Sequence, residues 1–151
     1  MKEFKSVDDI LVFAIDEEQK AVDFYSKLAS NARSEEMKDV FTEFAEEEIK
    51  HKTRLTKIRE EGIFDMPKES VHDLKISDYV VNVKPTPEMT YEEALIVAMK
   101  KEKAAFKLYT NLAAKAPNEN LKDVFLSLAA EESKHKLRFE VEYDDYVLRE
   151  N

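Results

Sequence analysis

The chain has 151 residues, 43% hydrophobic and 38% charged, with one Gly, four Pro, no Cys and a formal net charge of −9. That length suits one domain with a sizeable core, and the scarcity of Gly and Pro favours a few long helices over many short strands. The acidity gives no electrostatic support for binding a nucleic-acid backbone or an anionic membrane surface, and the missing Cys excludes disulfides, iron–sulfur clusters, thiolate zinc sites and Cys nucleophiles.

Helical periodicity begins after Ser6, a good N-cap, with Asp9 three positions on as in a capping box, although Asp fits that place less well than Glu. Leu11, Ile15, Glu18, Val22, Tyr25 and Ala29 step by four and three, predicting a first helix that breaks near Asn31–Ser34. Met37, Phe41, Phe44, Glu48, His51, Leu55 and Ile58 form the seam of a second. Residues 62–89 interrupt the pattern with the only Gly and with Pro67, Pro85 and Pro87. Within them Tyr79-Val80-Val81-Asn82-Val83 reads as extended, and His72 as a solvated loop residue without a role. A third helix follows Thr90 and Glu93 with the seam Leu95, Met99, Glu102, Phe106, Tyr109 and Ala113. After a break at Ala116–Asn118, where Pro117 stops a helix, a fourth carries Leu121, Phe125, Leu128, Glu132, His135 and Phe139. Tyr143–Val147 extends that helix or caps the end of the bundle. Phe41, Phe44, Phe106, Phe125 and Phe139 are expected in the core.

The second half repeats the first. Glu18 aligns with Glu102 and His51 with His135 at one constant offset, with no insertion between. Lys38-Asp39-Val40-Phe41 meets Lys122-Asp123-Val124-Phe125 at the same offset. Two copies of one supersecondary unit are implied, each a helical hairpin: about 6–61 and 90–146, joined by a linker of about 62–89 within a single domain spanning 1–151. A linker of that length can cross a bundle and join two parallel helices. The expected fold is therefore all-α, a four-helix bundle with the one long crossover of ferritin-like wiring.

Six polar groups lie at mid-height on the four seams: Glu18, Glu48, His51, Glu102, Glu132 and His135. Two of the three histidines fall in Glu48-Ile49-Lys50-His51 and Glu132-Ser133-Lys134-His135, where carboxylate and imidazole share a helix face. One such word often decorates a solvated surface. Two in the same repeat slot, on the seam, each matched by a Glu on its partner helix, point to metal. Carboxylate and imidazole together suit Fe(II), Mn(II) and their relatives. Four carboxylates balance two divalent cations; without them, buried carboxylates repel and take up protons. Glu17, Glu47 and Glu131 flank these positions on a face read as solvated. A one-residue slip in register would put Glu47 and Glu131 in place of Glu48 and Glu132, whereas Glu17 aligns with Lys101 and has no acidic counterpart.

This set resembles the ferritin-like di-iron carboxylate proteins, and the Glu-Glu-x-x-His-Lys wording with Glu18…Tyr25 and Glu102…Tyr109 is most similar to the rubrerythrin family. The resemblance covers roughly 5–60 and 90–142, not the linker. It implies a centre of two iron ions, with Mn or Zn substitution possible, in which Glu18 and Glu102 are terminal carboxylates, Glu48 and Glu132 bridge, and His51 and His135 bind one ion each. Tyr25 and Tyr109 are either packing residues with satisfied hydroxyls or donors to the ligating carboxylates. Two features depart from the family: Ala105 stands where typical members carry a further Glu, which makes the site more symmetric, and there is no four-Cys rubredoxin segment, so a rubredoxin-like electron donor would be a separate protein.

The resemblance implies an oxidoreductase that reduces hydrogen peroxide or dioxygen. The symmetric ligand set equally resembles a ferroxidase or iron-handling protein of bacterioferritin type, and a non-enzymatic metal-binding helical module is the third reading. A homodimer or larger homo-oligomer is expected, with no nucleic-acid partner. No apolar run approaches the ~20 residues that span a bilayer, and Met1–Lys5 is no signal peptide, so a cytoplasmic location is expected.

Overall fold

The structure, a computed structural model, describes residues 3–81, 86 and 88–150. Its long helices are α1 (Val7–Ser30), α2 (Glu35–Glu61), α4 (Tyr91–Ala114) and α5 (Glu119–Glu150); a short α3 (Lys68–Asp73) and a 3-10 turn (Ile76–Asp78) lie in the crossover. Tyr143–Val147 extends the last helix. No described helix is long and apolar enough to cross a membrane.

Local chemistry sets the ends. Ser6 accepts a hydrogen bond from the Asp9 amide and Ser34 from the Met37 amide, satisfying donors that a helix start leaves free. At Thr90 the capping box is complete: Thr90 Oγ1 accepts from the Glu93 amide at 3.1 Å, and Glu93 Oε1 from the Thr90 amide at 3.0 Å. In the first copy the shorter Asp9 carboxylate bonds instead to the Lys5 amide, at 2.9 Å, one residue before the cap. Gly62 closes α2 in the left-handed conformation (φ 62°, ψ 28°), which its missing Cβ makes inexpensive.

Each hairpin packs on itself, α1 on α2 and α4 on α5. Between hairpins, the start of α4 (Ala94, Leu95) meets the end of α1 (Phe24, Leu28), so these two run antiparallel. It follows that α2 and α4 run parallel, as a long crossover allows. The apolar core forms two clusters. One contains Ala14, Leu55, Leu108 and Ala129; the other contains Ala21, Ala45, Ala98 and Phe139. The six polar seam residues fall between them on every helix.

Two expectations need correction. Phe106 is 38% exposed, not in the core. The inward positions of α1 and α4 include Ala14, Ala21 and Ala98, while Ile15, Val22 and Met99 are only half-buried; on α4 the buried row continues through Glu102, Leu108 and Tyr109, which leaves Phe106 on the exposed side. Tyr79 is not extended: it ends the 3-10 turn with φ −119° and ψ −1°, is buried, and its hydroxyl accepts from Asn111 Nδ2 at 2.7 Å. Asn82 and Val83, at the end of that stretch, lie outside the described residues. His72 is exposed, as expected, but it lies in the short helix α3 and not in a loop.

Among the described residues, one buried acidic side chain lies outside the central layer. Glu142 of α5 is 1% exposed; it accepts two hydrogen bonds from Arg33, at 2.7 and 2.9 Å, and one from the Tyr91 hydroxyl at 2.7 Å. It thus ties the α1–α2 turn to the start of α4. Replacing Arg33 with Ala leaves that carboxylate with a single neutral donor. We expect a loss of about 2–3 kcal/mol, read as a lower urea midpoint at unchanged slope.

Candidate metal centre

Glu18 and Glu102 sit midway along α1 and α4, Glu48 with His51 on α2, and Glu132 with His135 on α5. None of the six is more than 2% exposed. Two groups of donor atoms converge, Glu18, Glu48, His51 and Glu132 in one and Glu48, Glu102 and His135 in the other, each within 4.8 Å. Glu48 is common to both, and it and Glu132, not their neighbours Glu47 and Glu131, face the cluster.

His51 Nδ1 lies 2.8 Å from Glu132 Oε1, 3.3 Å from Glu48 Oε1 and 3.6 Å from Glu18 Oε2. His135 Nδ1 lies 3.3 Å from Glu48 Oε1 and 3.6 Å from Glu102 Oε1. Despite these short separations, one atom on each of the six residues has no hydrogen-bond partner: Glu18 Oε2, Glu48 Oε1, His51 Nδ1, Glu102 Oε2, Glu132 Oε1 and His135 Nδ1. The contact between His51 Nδ1 and Glu132 Oε1 is close but not aligned as a bond; both atoms face the same space. Ligands about 2.1 Å from a shared ion at roughly right angles lie about 3.0 Å apart, so these spacings fit donors arranged around metal. A buried polar atom without a partner costs about 1–3 kcal/mol, and six together are hard to sustain unless a cation or protons satisfy them. The donor set, four carboxylates and two imidazoles, fits two divalent ions in charge and in chemistry.

The outer nitrogen of each imidazole is held across the bundle. His51 Nε2 meets Glu131 Oε2 at 2.8 Å, and His135 Nε2 meets Glu47. A carboxylate only accepts, so Nε2 carries the hydrogen, and once a metal displaces the proton from Nδ1 the lone pair of that atom is the one that faces inward. Glu47 and Glu131 are therefore not simply solvated. Their side chains are 35% and 41% exposed, yet each orients a histidine of the other hairpin. A signal for this was present: in an antiparallel pair, the residue before each inward Glu falls opposite the other helix's His.

The tyrosines act in the same crossed manner. Tyr25 donates to Glu102, and Tyr109 to Glu18 Oε1, leaving Glu18 Oε2 bare. Burial, and then the charges of Glu102, Glu48 and Glu132, push the Tyr25 hydroxyl well above its ordinary value; burial with Glu18, Glu132 and Glu48 does the same for Tyr109. Both keep their protons and donate. Of the two roles open in the sequence, packing and donation, the structure has both.

Burial and the charges of Glu18 and Glu102 push Glu48 up to about 8, and burial with its acidic neighbours raises Glu132 well above the usual range. Burial opposes charging His51, but Glu18, Glu48 and Glu131 outweigh it and raise it to about 9; against the same opposition Glu102 and Glu48 raise His135 to about 11.

The rubrerythrin family model matches residues 9–92 and 93–151, one segment over each hairpin. A crystal structure from Thermotoga maritima, described as that of a ferritin-like diiron-carboxylate protein, superposes with a TM-score of 0.77 over 97% of this chain and 99% of that one. At 21% identity that likeness concerns the fold alone. No curated protein matches the chain.

Two outcomes follow from the geometry. Glu48 at about 8 against an ordinary 4.5, and His51 and His135 at about 9 and 11 against 6.5, mean that the metal-free fold holds protons more tightly than the unfolded chain. Their stabilisation is complete below the unfolded values and is lost as pH rises through the folded ones. Thermal melts in chelator are thus expected to show the midpoint falling from about pH 5 to about pH 11; a rising midpoint would contradict the assignment. Replacing Glu131 with Ala frees the His51 ring and is expected to weaken metal binding about 10–100-fold, measured by competition with a chromophoric chelator.

Proposed function

This chain belongs to the rubrerythrin family, and on that premise we propose that it is a di-iron carboxylate oxidoreductase that reduces hydrogen peroxide with electrons from an external donor. The observation that carries the proposal is the convergence of six buried, unpartnered donor atoms, one from each of six residues. Glu18 and Glu102 would hold one ion each as terminal carboxylates, His51 and His135 would complete them, and Glu48 and Glu132 would lie between them. When bound, two ferrous ions supply the two electrons that, with two protons, convert one peroxide into two waters.

The protein's own share is positional and electrostatic. Tyr25 and Tyr109 fix Glu102 and Glu18 through one oxygen and leave the other for metal. Glu47 and Glu131 hold the imidazoles in the tautomer that ligates. The apolar clusters above and below exclude water, so the carboxylate charges are felt at low dielectric. A separate rubredoxin-like protein would return the electrons, and a homodimer in the cytoplasm is the working assembly we envisage. Manganese or zinc could occupy the same donors.

A second reading, a ferroxidase of bacterioferritin type, is favoured by the symmetry of the donor set and by Ala105 in place of a seventh carboxylate. Anaerobic loading with Fe(II), then separate mixing with peroxide and with dioxygen, distinguishes the two by absorbance. Faster oxidation by peroxide is expected; faster oxidation by dioxygen with mineral growth would replace the first reading with the second. No oxidation by either would leave a metal-binding module. In the double variant Glu48→Ala, Glu132→Ala, binding of two ions per chain should be lost, and two ions retained would show the ligands to be misassigned.

A further inference from the structure

The outward face of α2 carries a row that the central layer does not use. Thr42, Glu46, Ile49, Thr53, Thr56 and Glu60 recur at steps of four and three, on the side turned away from the buried Glu48, His51 and Leu55. Ile49 is 49% exposed. The hydroxyls of Thr42, Thr53 and Thr56 are satisfied inside the helix: they donate to the carbonyls of Lys38, Ile49 and Lys52, at 2.8, 3.0 and 2.8 Å. What these threonines offer a neighbour is therefore the methyl group. Ile49, Thr53 and Thr56 line, with Val22 of α1, a groove on the outside of the α1–α2 hairpin. Lys52 is held within the hairpin, its Nζ donating to Gln19 Oε1 at 2.7 Å. The middle of the row is thus uncharged, in a chain of which 38% is charged. Lys57 stands at one end of this uncharged stretch and Glu46 at the other.

We propose that this face receives a second copy of the chain, the two α2 helices lying antiparallel across a two-fold axis that passes between Ile49 and Thr53. A two-fold interface must be complementary to itself: if one residue meets another, the second meets the first. The row has that property. About such an axis Ile49 faces Thr53 of the other copy, apolar against apolar. Glu46 then faces Lys57, acid against base, and the pair occurs twice. Within one chain these two lie three turns, about 16 Å, apart and cannot meet. Lys57 instead reaches only Glu61, at 3.9 Å and largely in solvent. The other exposed apolar row, Leu126, Leu137 and Val141 on α5, does not fit a second copy in this way. Paired on itself about Leu137, it would set Lys134 of each copy beside Arg138 of the other, and like charges there oppose association. The proposed interface involves none of the metal donors and is independent of the di-iron reading.

Sedimentation velocity of the full chain across a dilution series tests this. The wild-type protein is expected to be a dimer, and Ile49→Arg a monomer with unchanged helix content by circular dichroism. Glu46→Lys and Lys57→Glu alone each set like charges face to face and should raise the dimer dissociation constant roughly tenfold or more. The double variant exchanges the two charges and should return it to within about threefold of wild type. That recovery separates a contact between copies from any effect inside one chain. Leu137→Arg is expected to leave the dimer intact. A wild-type monomer would leave the row to some other partner and overturn the proposal. So would a dimer that survives Ile49→Arg, or one that dissociates in Leu137→Arg. Two weakened single variants with no recovery in the double would overturn the antiparallel register.

Discussion

Four carboxyl groups in a hydrocarbon core repel one another, and bringing them there costs several kcal/mol per charge before any compensation. The bundle is organised around that cost. Glu18, Glu48, Glu102 and Glu132 occupy one layer, with an apolar cluster on either side of it. The layer can be neutralised by protons, which is why Glu48, Glu132 and both histidines are shifted upward, or by two divalent cations. Protons and metal compete for the same atoms, so metal affinity and apo-protein stability are two readings of one balance.

Around this layer the two hairpins, which share both apolar clusters, are also joined by crossed polar contacts. Tyr25 of the first reaches Glu102 of the second, and Tyr109 reaches Glu18. Glu131 reaches His51, and Glu47 reaches His135. Each contact runs from one repeat to the other, so neither hairpin alone can assemble or orient the donor set. Duplication thus accounts for the shape of the site: one unit supplies one Glu and one Glu-x-x-His, and a second unit facing it supplies the rest.

The halves are not identical, and the differences have physical consequences. Phe44 stacks on His135, whereas its repeat counterpart is Leu128. Glu142, held by Arg33 and Tyr91, has the apolar Ile58 as its counterpart. The first gives one histidine an aromatic neighbour in place of an aliphatic one, and the second gives α5 a polar anchor at a repeat position where α2 carries a hydrocarbon side chain. Glu48 is shared between both donor groups while Glu132 joins one, so symmetry of sequence does not carry through to full symmetry of geometry.

Much of this was legible along the chain. Seam periodicity, the constant offset between the two halves and the Gly and Pro content of the linker were enough for four long helices, two hairpins and one crossover. The same periodicity placed six polar residues at one height, because residues three and four apart on a helix share a face. Tertiary structure decided what periodicity leaves open. A step of three and a step of four are both helical, so whether Phe106 or the alanines faced inward depended on how closely α1 and α4 pack. Which carboxylates hold the histidines depended on antiparallel register between helices far apart along the chain, and Glu47 and Glu131 looked solvated because their partners lie on the other hairpin.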